Sequence, residues 1–400
     1  MKVLDKVKGV SRDLIDSMLG LIAMNGVIQL LLYPCFQRQL GTDKFGQVLT
    51  LLSIVSIMGS TFGVAANYSR MVAKTKNIDC NGDYNRFLLY IAVLCIPVSL
   101  AGLMWLGNGS VLMFLGFLAL MIVTVLRYYS DVEFRLNVNY RGFLLYYILI
   151  SVGYIVGIIL FPVTHSWIAA MLIGEAMAVG FVVIKGSLYR KPVFKKSDYY
   201  KGNMKSLIIL SLTELIAAVI LNADRLMLQA IAGGVAVTIF YAATLVGKMI
   251  SLVSMPLNGV IMGHLARFNG KLRGSTFLKL GMAVIAGGAV LNVFCVGVSM
   301  VFVMIMYPDI YSDVKPYLWV ANAGQIYYFL SNTLTVVLLR FSDEKYQLYI
   351  NIVYMIMFVV LAVPMTFAWK IWGMAWALLI VNLIKIVAVM VVGKMKLPKN

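Results

Sequence analysis

Apolar runs of about 20 residues recur along the whole chain, and about 20 residues is the length that crosses a bilayer as an α-helix. Twelve such runs can be drawn, at roughly 14–36, 44–66, 87–106, 111–129, 142–161, 167–188, 206–231, 237–262, 277–306, 317–339, 347–368 and 371–393. "LGNGS" (106–110) and "FPVTHS" (161–166) are turn signals between runs. "WKIWG" (369–373) is so short a break that the last two runs must form a tight helical hairpin. Period-two alternation, the mark of a membrane barrel, is absent. The pattern predicts an all-α polytopic membrane protein of about 12 transmembrane helices.

Composition agrees, with 62% of the 400 residues hydrophobic and 12% charged, where soluble domains carry about 25% charged residues. The net charge of +18 is distributed by segment. With the N-terminus placed in the cytoplasm, the cytoplasmic segments and their flanks hold 27 of the 34 Lys and Arg residues. Arg70, Arg127, Arg135, Arg267 and Lys271 are among them, and the opposite side holds only Arg38, Lys44, Lys315 and Lys370. The positive-inside rule then predicts both termini cytoplasmic, consistent with an even number of spans. No connection is long enough for a compact basic domain, so nucleic acid is not expected as a partner.

Absences narrow the function. The longest connection, 185–205, has about 20 residues, so no soluble domain exists to bind a nucleotide, and no phosphate-binding GxxxxGK[ST] loop occurs. His165 and His264 are expected on opposite sides of the membrane, and the four cysteines show no metal-like spacing. No cofactor is called for beyond a coupling ion, H+ or Na+, and an enzyme is not expected. A bundle of twelve helices with short connections is transporter architecture. The 185–205 loop divides it into two lobes of six spans, residues 1–192 and 193–400. "LGTDKFGQVLTLLSIVSIMG" (40–59) and "GVAVTIFYAATLVGKMIS" (234–251) echo one another when Phe45 is set against Phe240, as two internal repeats would.

Three loose motifs carry a resemblance to a known family. The first is Pro34, Leu40, Gly41, Phe45 and Gly46 after a polar-spotted first span. The second is "ADR" in span seven followed by "FYAATLVGKM", and the third is "KIWGMAWALLIVN" with Gly373, Ala375 and Ala377. Together they resemble the polysaccharide (Wzx-type) flippases of the MOP (multidrug/oligosaccharidyl-lipid/polysaccharide) superfamily. The resemblance implies two six-helix lobes around a central cavity that opens alternately to either side. It also implies a cargo, an oligosaccharide on polyprenyl pyrophosphate, turned from the cytoplasmic to the outer leaflet. The resemblance also implies a monomer in a bacterial inner membrane, working beside polysaccharide polymerase machinery. The seven Lys and Arg in and beside 185–205 point to contact with anionic membrane lipids and to a tether between the lobes. The alternatives are a cation-coupled multidrug exporter of the same superfamily and a membrane enzyme of glycan assembly.

Such a cargo needs cations for phosphate, and amides and aromatic rings for sugar. Ionisable residues inside a membrane mark such pathways. In span seven Glu214 and Arg225 lie eleven positions apart and share a face, at about 100° per residue. Adjacent Asp224 and Arg225 point apart, so each requires another partner, unless Arg225 snorkels to the headgroups. Thr244, Lys248 and Ser251 form one stripe of span eight. Lys248 is the deepest cation there, either a phosphate ligand or the partner of Glu214 or Asp224. Lys385 in span twelve, with Asn382, is similarly deep. Glu175 in span six is expected to pair across the bundle or take part in ion coupling. Arg70 is either a first contact for phosphate or a positive-inside anchor. Asn25 and Gln29 stack in span one, and Asn322, Gln325 and Asn332 share a face of span ten beside Tyr327 and Tyr328. These polar side chains serve either as a cavity lining or as helix–helix joins, which contribute about 0.6 kcal/mol each in membranes.

Overall fold

A computed structural model describes residues 2–107, 109–191, 193–252, 258, 261, 270 and 272–398, with side chains from Ile15 onward except those of Ser251, Leu252 and Glu344. The end of span eight beyond Leu252, His264 and the basic Arg267 and Lys271 lie outside the described residues. Helix begins at Lys2, and its apolar part Ile15–Leu40 is α1. There follow α2 (Thr42–Thr75), α3 (Asn81–Trp105), α4 (Val111–Leu136), α5 (Tyr140–Thr164) and α6 (Trp167–Lys185). The run Tyr200–Leu252 breaks at Gly233 into α7 (200–232) and α8 (234–252). Then come α9 (Gly274–Met306) and α10 (Leu318–Phe341), and Glu344–Lys396 breaks at Lys370 into α11 (344–369) and α12 (371–396). Each predicted span finds a helix, and among the described residues there is no strand. The chain is a multi-pass helical membrane protein.

The breaks have local causes. Gly233 (φ 79°) and Gly41 (φ 81°) take a backbone conformation that a side chain disfavours. Each closes the turn before a second helix of its half, α8 or α2. Setting Gly41 against Gly233 places Phe45 opposite Val237, three positions from the Phe45–Phe240 register expected above; the turn glycines, not the aromatics, mark the echo. At the second break Lys370 adopts φ 48°, and a side chain at Gly373 would run into the Met365 carbonyl. Residues eight apart meet this way only if the helix has folded back, as the short "WKIWG" break predicts. Within α1 a π-helical stretch, Ile28–Leu32, precedes Pro34, whose missing N–H and ring disturb the preceding turn.

The chain forms two compact units, Met1–Gly41 with Gln47–Ala223, and Thr42–Gly46 with Asp224–Asn400. Contact density thus divides the chain inside α7, whereas counting spans divides it at 192/193. In the first unit α5 and α6 cross at small residues. Gly153 and Gly157, four apart, face Gly174 and Ala170 so closely that a Cβ on either would strike the opposing backbone. In the second unit α9, α10 and α12 enclose Phe277, Tyr327, Leu334, Leu338, Ile386 and Val389. Large apolar side chains cover the outside, with Leu112 at 81%, Val163 at 80% and Val290 at 73% exposure, a surface suited to lipid.

α4 carries a short extension past its expected end. Its regular helix stops at Ser130, one residue beyond the predicted 129, and a turn at Asp131 leads into a short helical segment, Val132–Leu136, held by bonds inside the protein. Arg135 bonds Asp131 at 3.1 Å across one turn, and Arg127 is buried. Arg127 is therefore not a flanking charge of the positive-inside kind.

Orientation has a direct test. In a cysteine-free background, single cysteines in 309–313 are expected to react with an impermeant maleimide in intact cells, and those in 185–205 to react only after lysis. External labelling of 185–205 overturns the assignment of both termini to the cytoplasm.

Candidate functional site

The α7–α8 hairpin answers the puzzle of charges in apolar sequence. Because the chain reverses at Gly233, Asp224 and Lys248, 24 positions apart, meet with Nζ 2.5 Å from Oδ2. The Asp224 side chain is 5% exposed and that of Lys248 is 26% exposed. The other Asp224 oxygen accepts the backbone N–H of Arg225 at 3.0 Å. The Arg225 guanidinium lies 5.3 Å from the Tyr241 ring centroid, which holds its charge within the protein. Glu214, the other partner considered for Lys248, belongs to the first unit and makes no ion pair among the described residues.

α10 supplies the floor beside this pair. Asn322 Oδ1 accepts from the Gly247 N–H at 3.0 Å and lies 3.3 Å from Cys295 Sγ, tying α10 to α8 and α9. A side chain at Gly247 would strike Gln325 and Asn322, so the glycine lets α10 approach next to Lys248. Further along, Lys385 donates to Asn332 Oδ1 at 2.6 Å. The Tyr354 and Tyr328 ring centroids lie 4.8 Å and 5.8 Å from its ammonium. Asn382 bonds the Gly324 carbonyl at 3.0 Å, acting as a join between α12 and α10. Lys385 itself is 5% exposed, an ammonium enclosed by an amide and two rings.

In the first unit the expected residues are mostly committed to the protein. Arg70 is 4% exposed and donates to the Tyr129 hydroxyl and the Asn81 amide oxygen. Asp79 lies 4.0 Å away, and the Tyr84 ring centroid 5.3 Å away. Glu175 receives the Arg127 guanidinium at 2.8 Å and the Tyr154 hydroxyl at 2.7 Å, pairing α6 with α4 and α5. Asn25 returns its amide to the Leu21 carbonyl of its own helix at 2.8 Å. Gln29 lies in the π-helical stretch of α1.

Sequence reasoning missed a polar network at the end of the first unit. Asp131 accepts from Asn67 and, at 3.1 Å, from the Tyr147 hydroxyl. Asp83 accepts the Ser197 N–H at 3.0 Å, the Ser197 hydroxyl at 2.5 Å and the Asn203 amide at 2.9 Å. Glu133 accepts the Ser187 N–H at 3.0 Å and its hydroxyl at 3.1 Å. Asn81 and Asn85 donate to the carbonyls of Ser187, Arg190 and Val193. Tyr189 packs under the loop with its hydroxyl 2.8 Å from Ser130, and burial pushes its phenol above the usual range. The 185–205 connection is thus bound to the first unit along its length, and not a slack tether. The available signal was acidic and amide residues at helix ends facing a Ser-bearing loop.

The sequence matches no protein-family model and no curated protein. Solved structures do match in shape. One is "Inward-facing conformation of a multidrug resistance MATE family transporter of the MOP superfamily", with a TM-score of 0.63 and 13% identity, covering 95% of this chain and 97% of that one. Another is "Lipid II flippase MurJ, inward closed conformation", with a TM-score of 0.70 and 13% identity, covering 94% and 87%. A third is the Vibrio cholerae MATE transporter VcmN in its bent form, with a TM-score of 0.57 and 13% identity, covering 97% and 96%. The chain has the fold of these transporters. At such identity the likeness carries architecture and not cargo, so the chemistry rests on this chain's own charges.

Proposed function

We propose that this protein is a flippase that turns a polyprenyl-pyrophosphate-linked oligosaccharide from the cytoplasmic to the outer leaflet by alternating access. The observation that carries the reading is a charge imbalance inside the second unit. Arg225, Lys248 and Lys385 lie within helices, against Asp224, which is paired with Lys248, and Asp43 in the first turn of α2, which belongs to the same unit. The remaining acids of residues 224–400 are Asp309, Asp313, Asp343 and Glu344, in or beside connections. Cations inside a membrane are costly, and an anionic cargo relieves that cost while a cationic one adds to it. Lys248, like Arg225, is partly exposed, so a phosphate can compete with Asp224 for it. Gln325 beside it, and Tyr328 beside Lys385, suit the sugars. An ion gradient or the membrane potential would drive the cycle, with Asp224 taking a proton or sodium ion as the cargo takes the cation. Among the fold neighbours, the one described as a lipid II flippase favours a lipid-linked cargo. Those described as MATE transporters, one of them a multidrug resistance transporter, keep the cation-coupled drug exporter as the competing reading.

Reconstituted protein separates the two. Proteoliposomes are expected to move a fluorescent polyprenyl-pyrophosphate disaccharide between leaflets, read by quencher accessibility, and to leave ethidium gradients unchanged. Ethidium transport without glycolipid movement overturns the proposal.

A further inference from the structure

A groove with a volume of about 390 Å³ lies along the start of α7, lined by Tyr200, Lys201, Met204, Lys205, Ile208 and Ile209. Lys201, Lys205 and Ile208 recur at i, i+4 and i+7 and so share one face. The polar end of that face is two ammonium groups and the rest is aliphatic. Lys196 joins them from the loop, its ammonium 4.9 Å from the Tyr200 ring centroid. Three cations thus rim one end of a groove whose other end continues over Ile208 and Ile209, each 53% exposed.

The arrangement is held from beneath. Asp83 binds the Ser197 N–H and hydroxyl and the Asn203 amide together, fixing the residue after Lys196 and the first turn of α7 to one carboxylate. Asn203 also reaches the Ile78 carbonyl at 3.2 Å. Gly82 lets the Lys195 carbonyl come against α3, where a side chain would collide. With its backbone facing inward, the loop leaves Lys195 and Lys196 exposed.

We infer that this groove is a binding site for an anionic glycerophospholipid of the leaflet that the 185–205 loop faces. Its phosphate lies among Lys196, Lys201 and Lys205, and an acyl chain lies along Ile208 and Ile209. Asp83 is a positioning residue for it. Charge complementarity selects the headgroup, and the covalent ends of the loop, at Lys185 of α6 and Tyr200 of α7, keep the lysines at headgroup depth. A resident lipid fits better than a sugar-bearing carrier in transit, because the aliphatic end runs on along α7 past exposed Leu212 and Ile216. The site is separate from the Asp224–Lys248 pair and stands whether or not the flippase reading does.

The test uses full-length protein in vesicles of phosphatidylcholine with phosphatidylglycerol, reading the retained lipid by native mass spectrometry. A cation near an anionic surface contributes about fivefold in association. Phosphatidylglycerol is therefore expected to be retained over phosphatidylcholine, and Lys196→Gln/Lys201→Gln/Lys205→Gln to abolish that preference. Asp83→Asn, with every lysine kept, is expected to reduce the preference, and Lys394→Gln/Lys396→Gln to leave it intact. An equal loss in the Lys394/Lys396 control, or an unchanged preference in the triple variant, overturns the site. Full displacement of phosphatidylglycerol by equimolar farnesyl pyrophosphate would make it a carrier site instead. If Asp83→Asn unfolds in size-exclusion chromatography, Ser197→Ala tests the same clasp.

Discussion

Lys248→Ala is expected to abolish surface glycan while the protein remains in the membrane, and Lys248→Arg to restore part of it. Arginine keeps a cation at the α7–α8 hairpin and can still reach Asp224, but its planar fork presents charge to phosphate differently from a compact ammonium. Alanine removes the cation and strands Asp224, whose side chain is 5% exposed. Breaking a desolvated pair on one side costs about 3–5 kcal/mol, so lost export alone does not identify a ligand. The double variant Asp224→Asn/Lys248→Met removes both charges and is expected to fold near wild type, since neutral replacement of a buried pair is often tolerated. It should still fail to export. Membrane abundance by immunoblot and glycan by surface staining read the two effects separately. Normal export by Lys248→Ala, or by the double variant, would reduce the hairpin charges to structural partners.

The architecture was legible because a bilayer leaves few solutions: apolar length gave the spans, and glycine with short polar stretches gave the breaks. Even the α11–α12 hairpin could be read from five residues. Partners within the spans were harder. Glu214 and Asp224 were both candidates for Lys248, and only the reversal at Gly233 decides for Asp224. Arg70 and Arg127 read as cytoplasmic flanks, because an arginine near a span end looks the same whether it faces headgroups or turns inward. Their fates depend on Tyr129, Asn81 and Glu175, which are distant in sequence. Asp83 and Glu133 escaped notice for a related reason. Acids at helix ends read as solvated unless the loop that caps them is already in place.

Glu175→Gln is expected to lower stability strongly and to leave transport by the surviving protein close to normal. Arg127 and Glu175 hold α4 to α6 with side chains 7% and 3% exposed and a 2.8 Å separation, while Tyr154 satisfies the other carboxylate oxygen. Neutralising the acid leaves a guanidinium buried against the Tyr128 ring, 3.8 Å from its centroid, without the carboxylate that pairs with it among the described residues. Arg127→Met strands the carboxylate in the same way. Each single change is expected to cost about 3–5 kcal/mol, whereas Arg127→Met/Glu175→Leu, which removes both charges, should recover most of the loss. Heating followed by fluorescence-detected size-exclusion chromatography measures this, with export normalised to folded protein as the second reading. The contrast with the α7–α8 pair lies in access. A pair closed on both sides cannot exchange partners with cargo or a coupling ion without unpacking α4 from α6, while Lys248 is 26% exposed. Full folding with lost export in Glu175→Gln would reverse that assignment and make the first-unit acid the ion-coupling residue.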